Sequence, residues 1–360
     1  MLDKQTIIKH YDEFLPSNIR RRFLFKGTTS GTTGTRLSLC MNRDVIEREH
    51  AFVDRQYSWA GLARGGRIAT FTGDLIVPVE QKKPPFWRID RYSNELFLSN
   101  YHMSDHSLEY YLKRIKTFAP TLICAYPSTL FLIAKYIIKH KFDIRMNSLR
   151  GLIANSETLY PFQRKIIEKA FGIQIYNLYG HFERVVKIAT CEFGTYHVFP
   201  DYGITEFIPV AGSKSENTYE LVGTGFINEV MPLVRYRTND LVTLSDKECQ
   251  CGRNFVCVDS IMGRSNDVIL NPEGRVIPMI DSVFNDIEHV KMAQVRQKSL
   301  NNLEILVVVE PGFDKNDEDK IASNLALRVG TEMTFSVKRV NRIPSNPRGK
   351  FKLVVSEISN

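Results

Sequence analysis

The sequence predicts an α/β protein in two parts, a large layered domain over residues 1–266 and a small α+β unit over 267–360. Three observations predict it. From residue 42 to residue 178, short apolar runs alternate with amphipathic stretches of helical period, the pattern of parallel strands joined by helices. Two of these runs end in polar turns, Asn155-Ser156-Glu157 and Tyr179-Gly180-His181-Phe182-Glu183, and ligands of open α/β sheets sit beyond such strand ends. Ahead of both stands Lys26-Gly27-Thr28-Thr29-Ser30-Gly31-Thr32-Thr33-Gly34-Thr35-Arg36. Its glycines permit φ > 0 and let several N–H groups converge on one point, while its hydroxyls add donors around a phosphate. The same composition suits a flexible linker. It is not a Walker loop, because Gly34 is followed by Thr35 and Arg36 with no lysine in place.

Taken in order, residues 1–25 form a short amphipathic lead with Ile7, Ile8, Tyr11, Phe14 and Leu15 at helical spacing. A long helix is predicted from Asn42 to Leu62, with Asn42 or Asp44 as cap. Gly65 to Gly73 reads as a turn and a buried strand, and Pro78 to Tyr101 as a loop with short strands. Then come a helix from Ser107 to Lys116, a strand from Pro120 to Ser128 and a helix from Leu130 to His140. The strand from Leu149 runs into the first polar turn, the helix Tyr160 to Phe171 follows, and the strand Ile173 to Leu178 leads into the second. In the small unit, helices are predicted at Met279–Ile287 and Asp317–Val329, with strands at Val290–Gln297, Leu303–Val309 and Thr334–Val340.

Composition bounds the function classes. A chain of 360 residues with 43% hydrophobic and 24% charged residues can bury one large core or two unequal ones. No run of eighteen apolar residues occurs, and Met1-Leu2-Asp3-Lys4-Gln5 lacks the regions of a signal peptide, so no membrane partner and a cytoplasmic location are expected. The net charge of +8 is dispersed among forty acids apart from Arg20-Arg21-Arg22-Phe23, and no nucleic-acid-binding motif accompanies it. A basic balance of this size suits an enzyme of nucleotides and carboxylates. The six cysteines of a cytoplasmic chain are thiols or metal ligands rather than disulfides.

The Thr29-Ser30-Gly31-Thr32-Thr33-Gly34 run resembles the phosphate loop of the adenylate-forming superfamily of acyl-CoA synthetases, peptide-synthetase adenylation domains and luciferases, and further motifs follow in that family's order. The two polar turns sharpen the resemblance to the branch of phenylacetate-CoA ligases and CapK-like proteins. It covers nearly all of residues 26–352. It implies that Thr28, Thr29, Ser30, Gly31, Thr32, Thr33 and Gly34 grip the phosphates of ATP, that Asn155, Ser156 and Glu157 line the adenine, and that Tyr179 stacks on it, with Gly180 beside it in the nucleotide site. Glu183 is implied as the Mg²⁺ ligand, a fitting task because the ion is hard and prefers oxygen. Phe182 departs from the family, which has a hydroxyl there.

Leu233-Val234-Arg235-Tyr236-Arg237-Thr238-Asn239-Asp240-Leu241 resembles the family's R-Y-x-T-G-D-L, with Asn239 replacing glycine, and implies that Asp240 accepts from the ribose hydroxyls. On its residues alone, Asp240 could instead pair Arg235 or Arg237. Gly263-Arg264-Ser265-Asn266-Asp267 resembles the hinge motif, which implies that Arg264 reaches the nucleotide and that Asp267 is the pivot of a mobile C-terminal domain. Gly349-Lys350-Phe351 resembles the segment whose lysine bridges the substrate carboxylate and the α-phosphate; alone, Lys350 is a lysine of a basic tail. In electrostatic terms it sets a positive charge where negative charge develops.

Cys191, His197, Cys249 and Cys251 offer three thiols and an imidazole, a four-coordinate zinc set closed to water, although their spacing is not that of a zinc finger. Similar elements recur in the phenylacetate-CoA ligase branch, so a structural Zn²⁺ is expected, with Cys257 as a spare ligand. Cys40 and Cys124 read as core thiols. Of the histidines, His102, His106 and His181 are candidates to line the substrate pocket.

The resemblance implies an ATP-dependent acid-thiol ligase: a small carboxylic acid and ATP with Mg²⁺ give acyl-AMP, and coenzyme A or a partner enzyme accepts the acyl group. Phe86, Trp87, Tyr92, Phe97 and Tyr126 suggest an aromatic or aryl-acetic acid, although an aromatic core gives the same composition; the pathway suggested is one such as phenazine, capsule or O-antigen biosynthesis. The lead before the loop is short for the family, and the apolar face this would leave suggests a homodimer. That short lead, Phe182 and Arg36 also suit a second reading, a degenerate relative that binds nucleotide or a partner enzyme without catalysis.

Overall fold

Parallel pairing builds the middle of the molecule. In the computed structural model, which describes all residues except 18–23, 30–36, 211–216, 265–268, 271, 273–275, 278–282, 285–286, 288, 330–332, 345–350 and 359–360, one sheet of twelve strands spans the large part of the chain. Five strands lie side by side in parallel, in the order Glu95–Ser99, Ile68–Thr72, Leu122–Ala125, Gly151–Asn155 and Ile175–Gly180. Trp87–Asp90 closes one edge antiparallel. Strands buried on both faces read as continuous apolar runs, and Leu122–Ala125 is buried at every position.

The helices that cover these strands begin and end on local signals. Arg43–Trp59 starts at Asn42, whose side chain accepts from the Val45 N–H at 3.1 Å. Asp105–Phe118 starts on a capping box between Ser104 and Ser107. Pro127–His140 and Pro161–Phe171 both open on proline, whose missing N–H costs nothing in a first turn, so the helix expected from Leu130 begins earlier. Gly172, with φ of +68°, ends the last of them. Leu108, Leu112, Ile115, Leu130, Ile133 and Ile167 pack against Leu96, Leu98, Ile123 and Leu152 of the sheet.

Beyond Ile175–Gly180 the sheet continues antiparallel through Lys187–Thr190, Tyr196–Val198, Cys257–Arg264, Tyr236–Leu244, Thr218–Gly225 and Gly203–Pro209. The lead of the chain folds onto this half: helix Lys4–Lys9 buries Ile7 beside Val185, Leu221 and Val242, with Tyr11 and Phe14 packed against the same cluster.

The rest of the chain forms a second sheet, in the order Thr334–Arg339, Asn302–Val309, Val290–Ser299 and Val354–Ser356, with helix Lys315–Val329 packing Ile321 and Leu325 on Val295, Ile305 and Val307. The helix expected at 279–287 lies largely outside the described residues. Tyr160 and Phe162 of the large part pack against this second core, and Lys135 reaches Glu310 at 3.0 Å. The fold class read from the sequence, mixed α/β with a large sheet and a small C-terminal unit, is the one observed. No helix among the described residues is long and apolar enough to cross a membrane.

Candidate active site at the strand ends

The two polar turns open on one cleft of about 580 Å³, lined by Asn155, Ser156, Glu157, Tyr179, Gly180 and Glu183, with Asp240 and Gly263 from the antiparallel half and Phe351 and Lys352 from the C-terminal part. Thr28 and Thr29 also line it. They end the strand Phe25–Thr28, which pairs antiparallel with Ser38–Met41, and the Leu37 N–H donates to Thr29 Oγ1 at 3.1 Å. The ends of the Gly/Thr stretch are therefore tied together as the neck of a hairpin, which a linker does not require. Ser30, Gly31, Thr32, Thr33 and Gly34 lie outside the described residues, as do Asp267 and Lys350. Of Arg264 only the backbone is described, paired in register with Asp240.

Asp240 has 7% of its surface exposed. Arg235 and Arg237, its alternative partners, instead fork onto Glu206 and Glu220 at 2.9 and 2.5 Å. Asp240 accepts from the Tyr179 hydroxyl at 2.6 Å, which joins two motifs distant in sequence. Asn239 holds φ of +59°, the conformation for which it is the next-best residue after glycine.

Glu183 lies buried below this pair. Its Oε1 accepts from the Tyr236 hydroxyl at 3.0 Å. Oε2 stands 3.6 Å from His181 Nδ1, beyond hydrogen-bond reach, and meets no donor among the described residues, so a carboxylate oxygen is open to a hard cation. Phe182 is seated on the hairpin: a Cβ placed on Gly27 would fall 2.3 Å from its ring, so a hairpin position without a side chain makes room for the ring that replaces a hydroxyl.

Glu157 is committed to three donors. Its carboxylate accepts from the Ser128 N–H and hydroxyl at 3.0 and 3.1 Å, and from the Phe351 N–H at 2.6 Å. That last bond fastens the segment following Lys350 to the cleft. Ser156 beside it has φ of +65°, a strained backbone of the kind found at ligand sites.

The aromatic side chains that suggest an aryl acid are elsewhere. None of Phe86, Trp87, Tyr92, Phe97 and Tyr126 lines the cleft; Phe86 and Trp87 pack in the sheet-helix core, and Tyr92 is 99% exposed. Phe86 to Phe97 belong to the stretch that supplies the outermost two strands of the sheet, and Tyr126 is buried where helix Pro127–His140 begins. His102 bonds Ser99 and the Pro78 carbonyl, and of the histidine candidates only His181 lines the cleft. Conversely, Glu49 and Lys187 line it without any motif to announce them; their proximity is tertiary, a helix face meeting a strand.

Away from the cleft, Cys191, His197, Cys249 and Cys251 converge, with all four ligand atoms within 4.8 Å of one another. Cys191 Sγ lies 3.6 Å from Cys249 Sγ, and Cys251 Sγ 3.3 Å from His197 Nε2. Tetrahedral zinc with Zn–S near 2.3 Å sets its ligand atoms about 3.5–3.8 Å apart; the two close pairs come near that spacing, and the four side chains form a candidate set for the ion. Cys257 meets the other ring nitrogen, Nδ1, at 3.7 Å and stands outside the set. Burial, with Arg253 nearby, holds the His197 pKa below its ordinary value and favours the neutral ring that a metal requires.

Comparison with known proteins gives the chain's relatives. Residues 269–357 match the family model of the CapK C-terminal domain. Protein CapK of Staphylococcus aureus is 29% identical over 99% of this chain and 79% of its own. A phenylacetate-coenzyme A ligase of Thermus thermophilus is 25% identical over 67% of this chain, and the matched region spans 61% of that ligase. A solved 2-hydroxyisobutyryl-CoA ligase in its postadenylation state shares the fold with a TM-score of 0.74 at 15% identity, over 99% of this chain and 79% of that one. The chain is homologous to CapK and to the phenylacetate-CoA ligases.

Proposed function

We propose that the protein activates a carboxylic acid with ATP and passes the acyl group to coenzyme A. The observation that carries this reading is the 2.6 Å bond from Tyr179 to Asp240, which joins two motifs of nucleotide chemistry at the cleft that Glu183 also lines. In the first step an oxygen of the acid attacks the α-phosphorus, the bond to pyrophosphate breaks and acyl-AMP forms. In the second the thiol sulfur attacks the acyl carbon and AMP leaves. Tyr179 and Asn155 to Glu157 hold the adenine side, Asp240 accepts from the ribose hydroxyls, and Thr28 to Gly34 grip the phosphates. Mg²⁺, held by Glu183, would neutralise phosphate charge. Arg264 and Lys350 bring positive charge to the nucleotide and to the transferring group, Lys350 delivered by the segment that Glu157 fastens. Asp267 is the pivot between the parts at 1–266 and 267–360. A structural Zn²⁺ occupies the Cys191, His197, Cys249 and Cys251 set.

ATP–pyrophosphate exchange with Mg²⁺ across a panel of acids tests this, run with and without coenzyme A. Exchange with one acid class is expected, with AMP released on addition of coenzyme A. Asp240→Asn is expected to raise the KM for ATP about 10- to 100-fold, the loss of a hydrogen bond to a charged group. Protein that binds ATP yet exchanges with no acid would favour a binding role instead.

A further inference from the structure

The nucleotide motifs leave part of the cleft wall unexplained. Helix Arg43–Trp59 and strand Lys187–Thr190 place Glu49 and Lys187 there. Lys187 is 3% exposed and ion-paired with Glu49 Oε1. Glu49 Oε2 accepts from the Tyr202 hydroxyl at 2.6 Å and faces Arg184 Nε at 3.8 Å. The carboxylate is thus fully engaged, whereas the ammonium has three N–H donors and Glu49 is its one hydrogen-bond acceptor among the described residues.

The free donors stand where a substrate would reach them. A Cβ on Gly180, in the turn below Tyr179, would lie 3.5 Å from Lys187 Nζ. In the same turn His181, with 9% of its side chain exposed, has both ring nitrogens buried without a hydrogen-bond partner among the described residues. An aryl group against this wall would leave Lys187 with Glu49 as its one hydrogen-bond acceptor among the described residues and would give the His181 ring nitrogens no partner.

We infer that the acid activated here is aliphatic and carries a further oxygen function on its acyl chain, a hydroxyl or a second carboxylate, that accepts from Lys187. The inference rests on the adenylation reading for its reaction and on the Lys187 wall for its substrate class. Sites built to hydrogen-bond a substrate oxygen reject analogues lacking it by large factors.

The test compares hydroxy acids (glycerate, gluconate), dicarboxylic acids (malonate, succinate) and aryl acids (benzoate, phenylacetate) in ATP–pyrophosphate exchange. An oxygen-bearing acid is expected to exceed every aryl acid at least about 100-fold in kcat/KM, and its class tells hydroxyl from carboxylate. The paired variant Glu49→Leu with Lys187→Met removes both charges together, so that neither is left buried without the other; it should lose that preference, with ATP binding measured as the control that it is folded. Preference for an aryl acid, or an unchanged preference in the paired variant, overturns the inference and leaves adenylation standing. If no acid supports exchange, the adenylation reading fails, and calorimetry with AMP present decides the wall: saturable binding of an oxygen-bearing acid that weakens at least tenfold in the paired variant supports it, and no such binding overturns it.

Discussion

Glu49 shows how one residue ties the cleft to stability. Burial alone would raise the pKa of its carboxyl, but the Lys187 ammonium, the Tyr202 hydroxyl and the Arg184 guanidinium outweigh burial and hold it below the ordinary 4.5. A depressed carboxyl pKa stabilises the fold fully above the unfolded value, and that contribution is lost as pH falls through the folded one. Glu49→Gln leaves Lys187 buried without its counter-charge, so we expect a loss of about 3–5 kcal/mol at neutral pH. Urea unfolding of both proteins at neutral pH and in steps below pH 4.5 checks this. The gap between them should narrow in the acid range, where native Glu49 protonates; a gap independent of pH would show that its charge contributes nothing.

At the scale of elements, Glu157 closes the distance between the two sheets. It leaves strand Gly151–Asn155 two residues earlier, takes both donors of Ser128 at the start of helix Pro127–His140, and keeps room for the Phe351 N–H. Glu157→Gln would turn an amide N–H₂ toward one of these donors. Exchange protection of the Phe351 amide should then fall about tenfold or more, the worth of a hydrogen bond to a charged acceptor, with hydrogen exchange by mass spectrometry on the 351–354 segment as the readout. Protection equal to that of the native protein would mean that the second core, not Glu157, docks the segment. The elements meeting here were legible in the sequence for physical reasons: Leu122–Ala125 and the first four residues of Gly151–Asn155 carry no polar side chain, and the turns after the strands are polar. Phe182 was legible as a departure but not its accommodation, because Gly27 lies far away in sequence. The Glu49–Lys187 pair carried no signal at all, since neither residue type is unusual in its own element.

At the scale of the whole molecule, the twelve-stranded sheet changes character where Ile175–Gly180 meets Lys187–Thr190, from parallel to antiparallel. The parallel half was readable from its strand and helix alternation, whereas the antiparallel half has strands such as Gly203–Pro209 with little burial contrast between positions, and its register follows from long-range pairing. The cysteine and histidine set stands at this seam. Cys191 follows Lys187–Thr190, His197 lies in Tyr196–Val198, and Cys249 and Cys251 occupy the connection between Tyr236–Leu244 and Cys257–Arg264. A zinc ion there would join three segments that also meet through the Arg253–Glu192 ion pair and the His197–Phe255 ring contact, and its binding free energy would add to folding. Purified protein should therefore carry zinc equimolar with the chain, and Cys249→Ser with Cys251→Ser should lose it. Removing the metal with a strong chelator should lower Tm by about 5–10 °C, on the basis of about 4 kcal/mol for a ligand held at a thousandfold its Kd. Because none of the four ligands lines the cleft, ATP binding at low temperature should survive the chelator. A metal-free preparation with an unchanged Tm would leave the four side chains as neighbours without an ion.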